Sequence, residues 1–92
     1  MDCISVQTEH VGCFKDDDDR ALPLLLGYFK TVERCAAVAD ARGYKIIAIQ
    51  EQEMCWSGPH AMETYDRHGK ADNCKNGKGG VNANDVYFVT RE

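Results

Sequence analysis

Five cysteines are the residues in this 92-residue chain with the widest choice of chemistry, and their spacing narrows it. Cys3, Cys13, Cys35, Cys55 and Cys74 are separated by 10, 22, 20 and 19 positions, and no two form a C-x-x-C pair. Zinc ribbons and fingers set two ligands on one knuckle through such close pairs, so the spacing argues against a structural metal. A thiol nucleophile would need a base, and Cys55 with His60 or His68 is the nearest combination. A cysteine held in a disulfide is no nucleophile, however. Two readings of the thiols remain, a disulfide framework and reduced structural cysteines, and the size of the chain favours the first. A single domain this short buries about 60–65% of the surface of its unfolded form, so a covalent constraint is worth having. No catalytic constellation emerges, and the chain is read as a non-enzyme. His60 and His68, eight positions apart, are read as exposed loop histidines rather than metal ligands.

The other chemistry open to the chain is non-covalent recognition of polar ligands. Sugars are held by planar hydrogen-bonding groups around the ring, with an aromatic face against its C–H surface. Trp56, Tyr65, Tyr28 and Tyr87 offer faces, and Asp17, Asp18, Arg20, Asp66, Arg67, Asn73, Asn82 and Asn84 offer the polar groups. Of the aromatics, Tyr65 sits in the most polar surroundings and is expected to be exposed. Trp56 beside Cys55, and Tyr44 and Tyr87, are expected to pack in the core. The run Asp16-Asp17-Asp18-Asp19 supplies oxygens that would suit calcium, but it lacks the alternating spacing that points successive side chains at one ion. It reads as a solvated turn paired with Arg20, and no cofactor is expected. With 15 acidic against 11 basic residues the formal charge is -4, which disfavours nucleic acid as a partner.

The elements that must position these groups are legible in part. Ile4 and Val6 alternate over a short stretch that suits an edge strand or a frayed arm; residues 1–10 are set apart as an N-terminal arm, and residues 11–92 as the domain. A strand is expected over 11–14, followed by the acidic turn. Leu24, Leu25 and Leu26 then enter the core before Gly27 turns the chain. The helix is expected from Thr31 to Arg42. Thr31 is a good N-cap, Glu33 suits the first turn, and Gly43 suits the left-handed C′ position. Val32, Cys35, Ala36 and Ala39 make one narrow apolar face. Tyr44 to Ile49 is expected to be a central strand, with Met54-Cys55-Trp56 as its hairpin partner. Residues 60–84 are expected to be loop-rich with no helical period, and 85–89 the last strand. The fold class expected is α+β, one helix packed on a small antiparallel sheet.

These pieces, taken in order, resemble a known extracellular pattern. Gly12-Cys13-Phe14, Arg20-Ala21-Leu22, Glu33-Arg34-Cys35, Gly43-Tyr44, Cys55-Trp56-Ser57-Gly58, Cys74 and Val86-Tyr87 are similar in order and spacing to WSC domains and, more loosely, to the PAN/apple modules. The likeness is nearest to WSC-like domains of invertebrate secreted proteins, and it covers residues 12–89. Two family cysteines are missing, at positions near Ala39 and at Ser57, as if one disulfide were absent. The resemblance implies a helix-to-strand bond Cys35–Cys55 and a second bond Cys13–Cys74. It leaves Cys3 outside the matched region as a free thiol or an intermolecular link, the latter giving a disulfide-linked homodimer. It also implies a secreted, extracellular protein that binds glycans or glycoproteins as a small lectin, the alternative being a protein–protein adhesion or matrix module. Met1-Asp2-Cys3 leads into a mixed polar segment rather than a signal sequence, as in a mature form given a start Met. No apolar run is long enough for a membrane span.

Overall fold

Four successive apolar residues, Ile46 to Ile49, are the spine of the protein, because a strand that is apolar on both faces must be covered on both. The computed structural model describes residues 6–16, 20–51, 53–75 and 82–91. It shows an α+β fold built on one antiparallel five-stranded sheet. The elements are β1 (Val6–Lys15), β2 (Leu24–Tyr28), α1 (Val32–Ala41), β3 (Ile46–Gln50), β4 (Met54–Ser57), α2 (Ala61–Thr64) and β5 (Ala83–Arg91). Their order across the sheet is β1-β5-β3-β4-β2, so β3 is central and all five of its residues are buried.

The alternation of β3 divides the core in two. Ile47 and Ile49 face α1 and meet Cys35, Ala36, Ala39, Cys55, Tyr87 and Val89. Ile46 and Ala48 face the other way and meet Phe14, Ala21, Leu22, Trp56, Ala61 and Val86. The small residues Ala36 and Ala39 let α1 lie close on the sheet. Its ends are set as expected: the Thr31 hydroxyl accepts from the Arg34 amide at 3.1 Å, and Gly43 takes φ +84° just beyond the C-cap. The expected bonds Cys35–Cys55 and Cys13–Cys74 both form. The first is sealed between α1 and β4, with both residues fully buried.

Several expectations need correction. Of the two readings of the first ten residues, residues 6–10 take the edge strand: they belong to β1 rather than to an arm outside the domain, and pair with β5 through Val6 opposite Arg91. Gly27 does not turn the chain. It lies within β2 at φ +150°, where a bulge between Leu25 and Gly27 keeps the strand in register with β4. A Cβ there would stand 2.9 Å from the Phe29 ring, so the position suits glycine on both counts. The stretch after residue 60 is not all loop, since α2 occupies four residues of it and buries Ala61. The last strand is longer than 85–89 and is inserted between β1 and β3, which places the described end of the chain in the middle of the sheet. No helix among the described residues is long and apolar enough to cross a membrane.

Candidate functional site

A bulge in β1 gathers the first group of functional side chains. The register runs from His10 opposite Tyr87 to Gly12 opposite Val86 and Cys13 opposite Asp85, with Val11 as the extra residue. His10 and Cys13, three positions apart, thereby share a face with Asp85 and Tyr87, where plain alternation would have put them on opposite faces. The Asp85 carboxylate is buried and accepts from both neighbours. His10 Nε2 lies 2.5 Å from its Oδ1, and the Tyr87 hydroxyl donates to Oδ2 at 3.2 Å. The His10 and Tyr87 rings are 5.1 Å apart. Burial, then the charge of Asp85 and the hydrogen bond to it, push the Tyr87 phenol up to about 12.

The outer edge of β1 is closed by the segment that carries Cys74. The Lys15 amide donates to Gly69 O at 2.8 Å, the Ala71 amide donates to Cys13 O at 3.0 Å, and Lys70 pairs opposite Phe14 as an isolated bridge. These bonds and the Cys13–Cys74 disulfide protect an edge that would otherwise invite pairing with another chain. The closure leaves two clefts. The larger, about 590 Å³, is lined by Lys15, Lys70, Ala71, Asp72, Asn73 and Asn82. The smaller, about 480 Å³, is lined by His10, Cys13, Asp72, Cys74, Asp85 and Tyr87. Asp72 belongs to both, so the two form one bipartite surface beside the disulfide.

Of the described residues expected to bind ligand, Asn73 and Asn82 stand on this surface, Tyr87 lines its smaller cleft, and Arg20, Trp56, Tyr65, Asp66 and Arg67 are not among the residues that line it. Arg20 and Trp56 are together, but in a largely structural cluster on the opposite face of the sheet. Arg20 Nη1 donates to Asp16 Oδ2 at 2.8 Å and to Gln50 Oε1 at 2.9 Å, and the guanidinium lies 4.6 Å from the Trp56 ring centroid. Asp16 is buried, accepts from the Ala21 amide at 3.0 Å, and takes a further bond from Gln50 Nε2 at 3.2 Å. The first aspartate of the run is thus an internal anchor rather than part of a solvated turn. The pairing of Arg20 with the acidic run is as expected, but its partners hold it against the core.

Tyr65 is corrected as well. It is half-buried and packs edge-on against Phe14 at 5.3 Å and Phe88 at 6.3 Å, so it is not the exposed platform expected. Tyr28, at the end of β2, is 64% exposed. Asp66 and Arg67 occupy the exposed turn after α2. Asn84 is fully buried, and neither its side-chain oxygen nor its nitrogen has a hydrogen-bond partner; the same holds for Trp56 Nε1. Asp17, Asp18 and Cys3 lie outside the described residues. Trp56, Tyr44 and Tyr87 pack against the core as the sequence leads one to expect.

Sequence reasoning missed His10, Lys15, Lys70, Asp72 and Asp85. The available signal was Gly12 within an otherwise strand-like run, since an isolated glycine in a strand marks a bulge. Among the described residues no group of three or more His, Cys, Asp or Glu side chains is arranged to hold a metal ion. No family model matches the chain, and no curated protein matches it.

Proposed function

We propose that the chain is a secreted, WSC/PAN-like carbohydrate-binding domain that holds glycans non-covalently on the bipartite surface at the β1 edge. The observation that carries this reading is the larger cleft, an open concavity lined by Asn73, Asn82, Asp72, Lys15 and Lys70. Ligand sites of this kind use a few placed polar groups to fix orientation, and hydroxyl-rich sugars suit amides, which donate and accept, together with carboxylates, which accept. Cys13 and Cys74, which border the smaller cleft, are bonded to each other and present no thiolate, so binding proceeds without covalent chemistry. Two structural disulfides in a domain of this size suit an oxidising compartment, which supports the secreted assignment. With four cysteines paired, Cys3 is the one left to join two copies, and such a dimer would gain avidity without a new contact.

A glycan array probed with the wild-type domain, Asn73→Ala and Asn82→Ala tests the proposal. The expected outcome is a defined set of sugars bound by the wild type and lost in both variants. Retention of no sugar by the wild type overturns the lectin reading, and unchanged binding by both variants moves the site elsewhere.

A further inference from the structure

We infer that His10 is a ligand contact of the smaller cleft, held by the buried carboxylate of Asp85 so that its Nδ1 accepts a glycan hydroxyl; this rests on the reading of the bipartite surface as the sugar site. The two side chains touch but differ sharply in exposure. That of His10 is 56% exposed and that of Asp85 3%, with Nε2 and Oδ1 2.5 Å apart. A carboxylate only accepts, so the proton of this bond sits on Nε2, which sets the tautomer of the neutral ring. Nδ1 is then the acceptor of the ring, and it has no hydrogen-bond partner among the described residues.

The ring is fixed from a second side as well. The Tyr87 ring lies 5.1 Å from it at 57°, and the Tyr87 hydroxyl donates to the other oxygen of Asp85 at 3.2 Å. Both carboxylate oxygens are thereby engaged between β1 and β5, and Asp85 orients His10 rather than meeting the glycan itself. The bulge at Val11 makes this possible, since it brings His10 onto the face of Asp85 and Cys13. An exposed side chain must ordinarily be ordered when a ligand arrives. This ring already has its orientation, so the hydrogen bond forms at little entropic cost. His10 lines the smaller cleft with Asp72, the residue shared with the larger one, and a single sugar chain can therefore meet His10 and the Asn73 and Asn82 side of the surface together. One such hydroxyl-to-imidazole bond is worth about fivefold in affinity.

Titration calorimetry and imidazole nitrogen NMR of the full chain test the inference at mildly alkaline pH, where imidazoles are neutral. The probes are chitotriose, cellotriose, laminaritriose, mannotriose and any sugar retained on the array. In the free protein His10 is expected to show the Nε2–H tautomer. A saccharide that binds should move the His10 Nδ1 resonance upfield and leave that of His60, exposed before α2, in place. His10→Ala should weaken binding about fivefold. Asp85→Asn, whose amide can turn either its oxygen or its nitrogen to the ring, should mix the two tautomers and weaken binding less than His10→Ala does. A free ring protonated on Nδ1 overturns the inference. So does a saccharide that binds without moving Nδ1, or equally well to folded His10→Ala; the carbohydrate reading then stands on the larger cleft alone. Failure of every saccharide, here and on the array, overturns both. The wild-type spectra decide the matter should His10→Ala, which leaves Asp85 one donor short, fail to fold.

Discussion

Removing the two disulfides one at a time sets chain entropy against burial, and the two considerations rank them in opposite order. Cys13–Cys74 closes a span of 61 positions and Cys35–Cys55 a span of 20. Loop closure in the unfolded chain makes these worth about 4 and about 3 kcal/mol respectively. The inner bond lies within the outer span and shortcuts 20 of its positions, which trims the larger figure by only about 0.4 kcal/mol. Entropy alone therefore predicts the greater loss for the Cys13→Ser/Cys74→Ser pair.

Burial reverses that order. Cys35 and Cys55 are fully enclosed between α1 and β4, so Cys35→Ala/Cys55→Ala also empties the space of two sulfur atoms in a close-packed core, at a cost of roughly 2 kcal/mol. Cys13 and Cys74 are half-buried at the cleft, and their segments stay tied by the Lys15–Gly69 and Ala71–Cys13 backbone bonds. The expected outcome is a loss of about 5 kcal/mol for the inner pair, enough to unfold many small domains, and at most about 4 for the outer pair. Urea unfolding followed by fluorescence of the lone tryptophan, Trp56, measures both, because its ring lies in the core under Arg20. Extrapolated free energies rather than midpoints must be compared, since cross-links alter the surface exposed on unfolding. A greater loss for the outer pair would refute the argument that core packing, and not loop length, decides the ranking.

Three further predictions concern polar groups inside the fold. Arg20→Met leaves the Asp16 carboxylate, 1% exposed, without its cation, and is expected to cost about 3 kcal/mol. Adding Asp16→Asn should restore part of that in a double-mutant cycle, and a zero coupling energy would show the pair to be independent. The Tyr87 hydroxyl, pushed to about 12, holds its proton in the folded state where the unfolded chain releases it near pH 10. Stability contributed by this group is thus complete below pH 10 and lost as pH rises towards 12, and Tyr87→Phe should flatten that limb of a urea-midpoint profile. Asn84→Leu replaces a buried amide that has no hydrogen-bond partner with a somewhat larger apolar side chain of the same branched shape. It should raise stability by about 1 kcal/mol, and a clear loss in the same assay would mean the amide is satisfied in solution.

What was legible in the sequence was local. Thr31, Glu33 and Gly43 mark the helix because caps act through neighbouring backbone atoms, and Ile46 to Ile49 mark the central strand because both of its faces are apolar. The segments that were misread depend on distant partners. Leu24 to Tyr28 reads as a run ended by Gly27, since only the pairing with β4 shows that the glycine absorbs a bulge. The β1 edge was hidden for the same reason, as Val11 must be looped out against β5, some 75 positions away, before His10 and Cys13 share a face. The acidic run shows why residue type does not reveal environment: its first aspartate turns inward because Arg20, Gln50 and the Ala21 amide wait for it there. Asn73 and Asn82, picked out by residue type alone, line the larger cleft.

The outer disulfide separates scaffold from site more cleanly than any single side chain does. Its sulfurs border the smaller cleft, and the segment it ties down supplies Lys70, Ala71, Asp72 and Asn73 to the larger one. The inner disulfide touches neither. Cys13→Ser/Cys74→Ser should therefore keep a cooperative unfolding transition yet lose glycan affinity by more than tenfold, because a loop freed at Cys74 must be ordered again each time a ligand binds. A few residues so released are enough for that loss, since ordering one residue costs about 1–2 kcal/mol. Mild reduction of the wild type should reproduce the effect, as the half-buried Cys13–Cys74 bond is open to a small thiol while Cys35–Cys55 is sealed. Undiminished binding by the folded double variant would show that the β1 edge is closed for stability alone and that the glycan sits elsewhere.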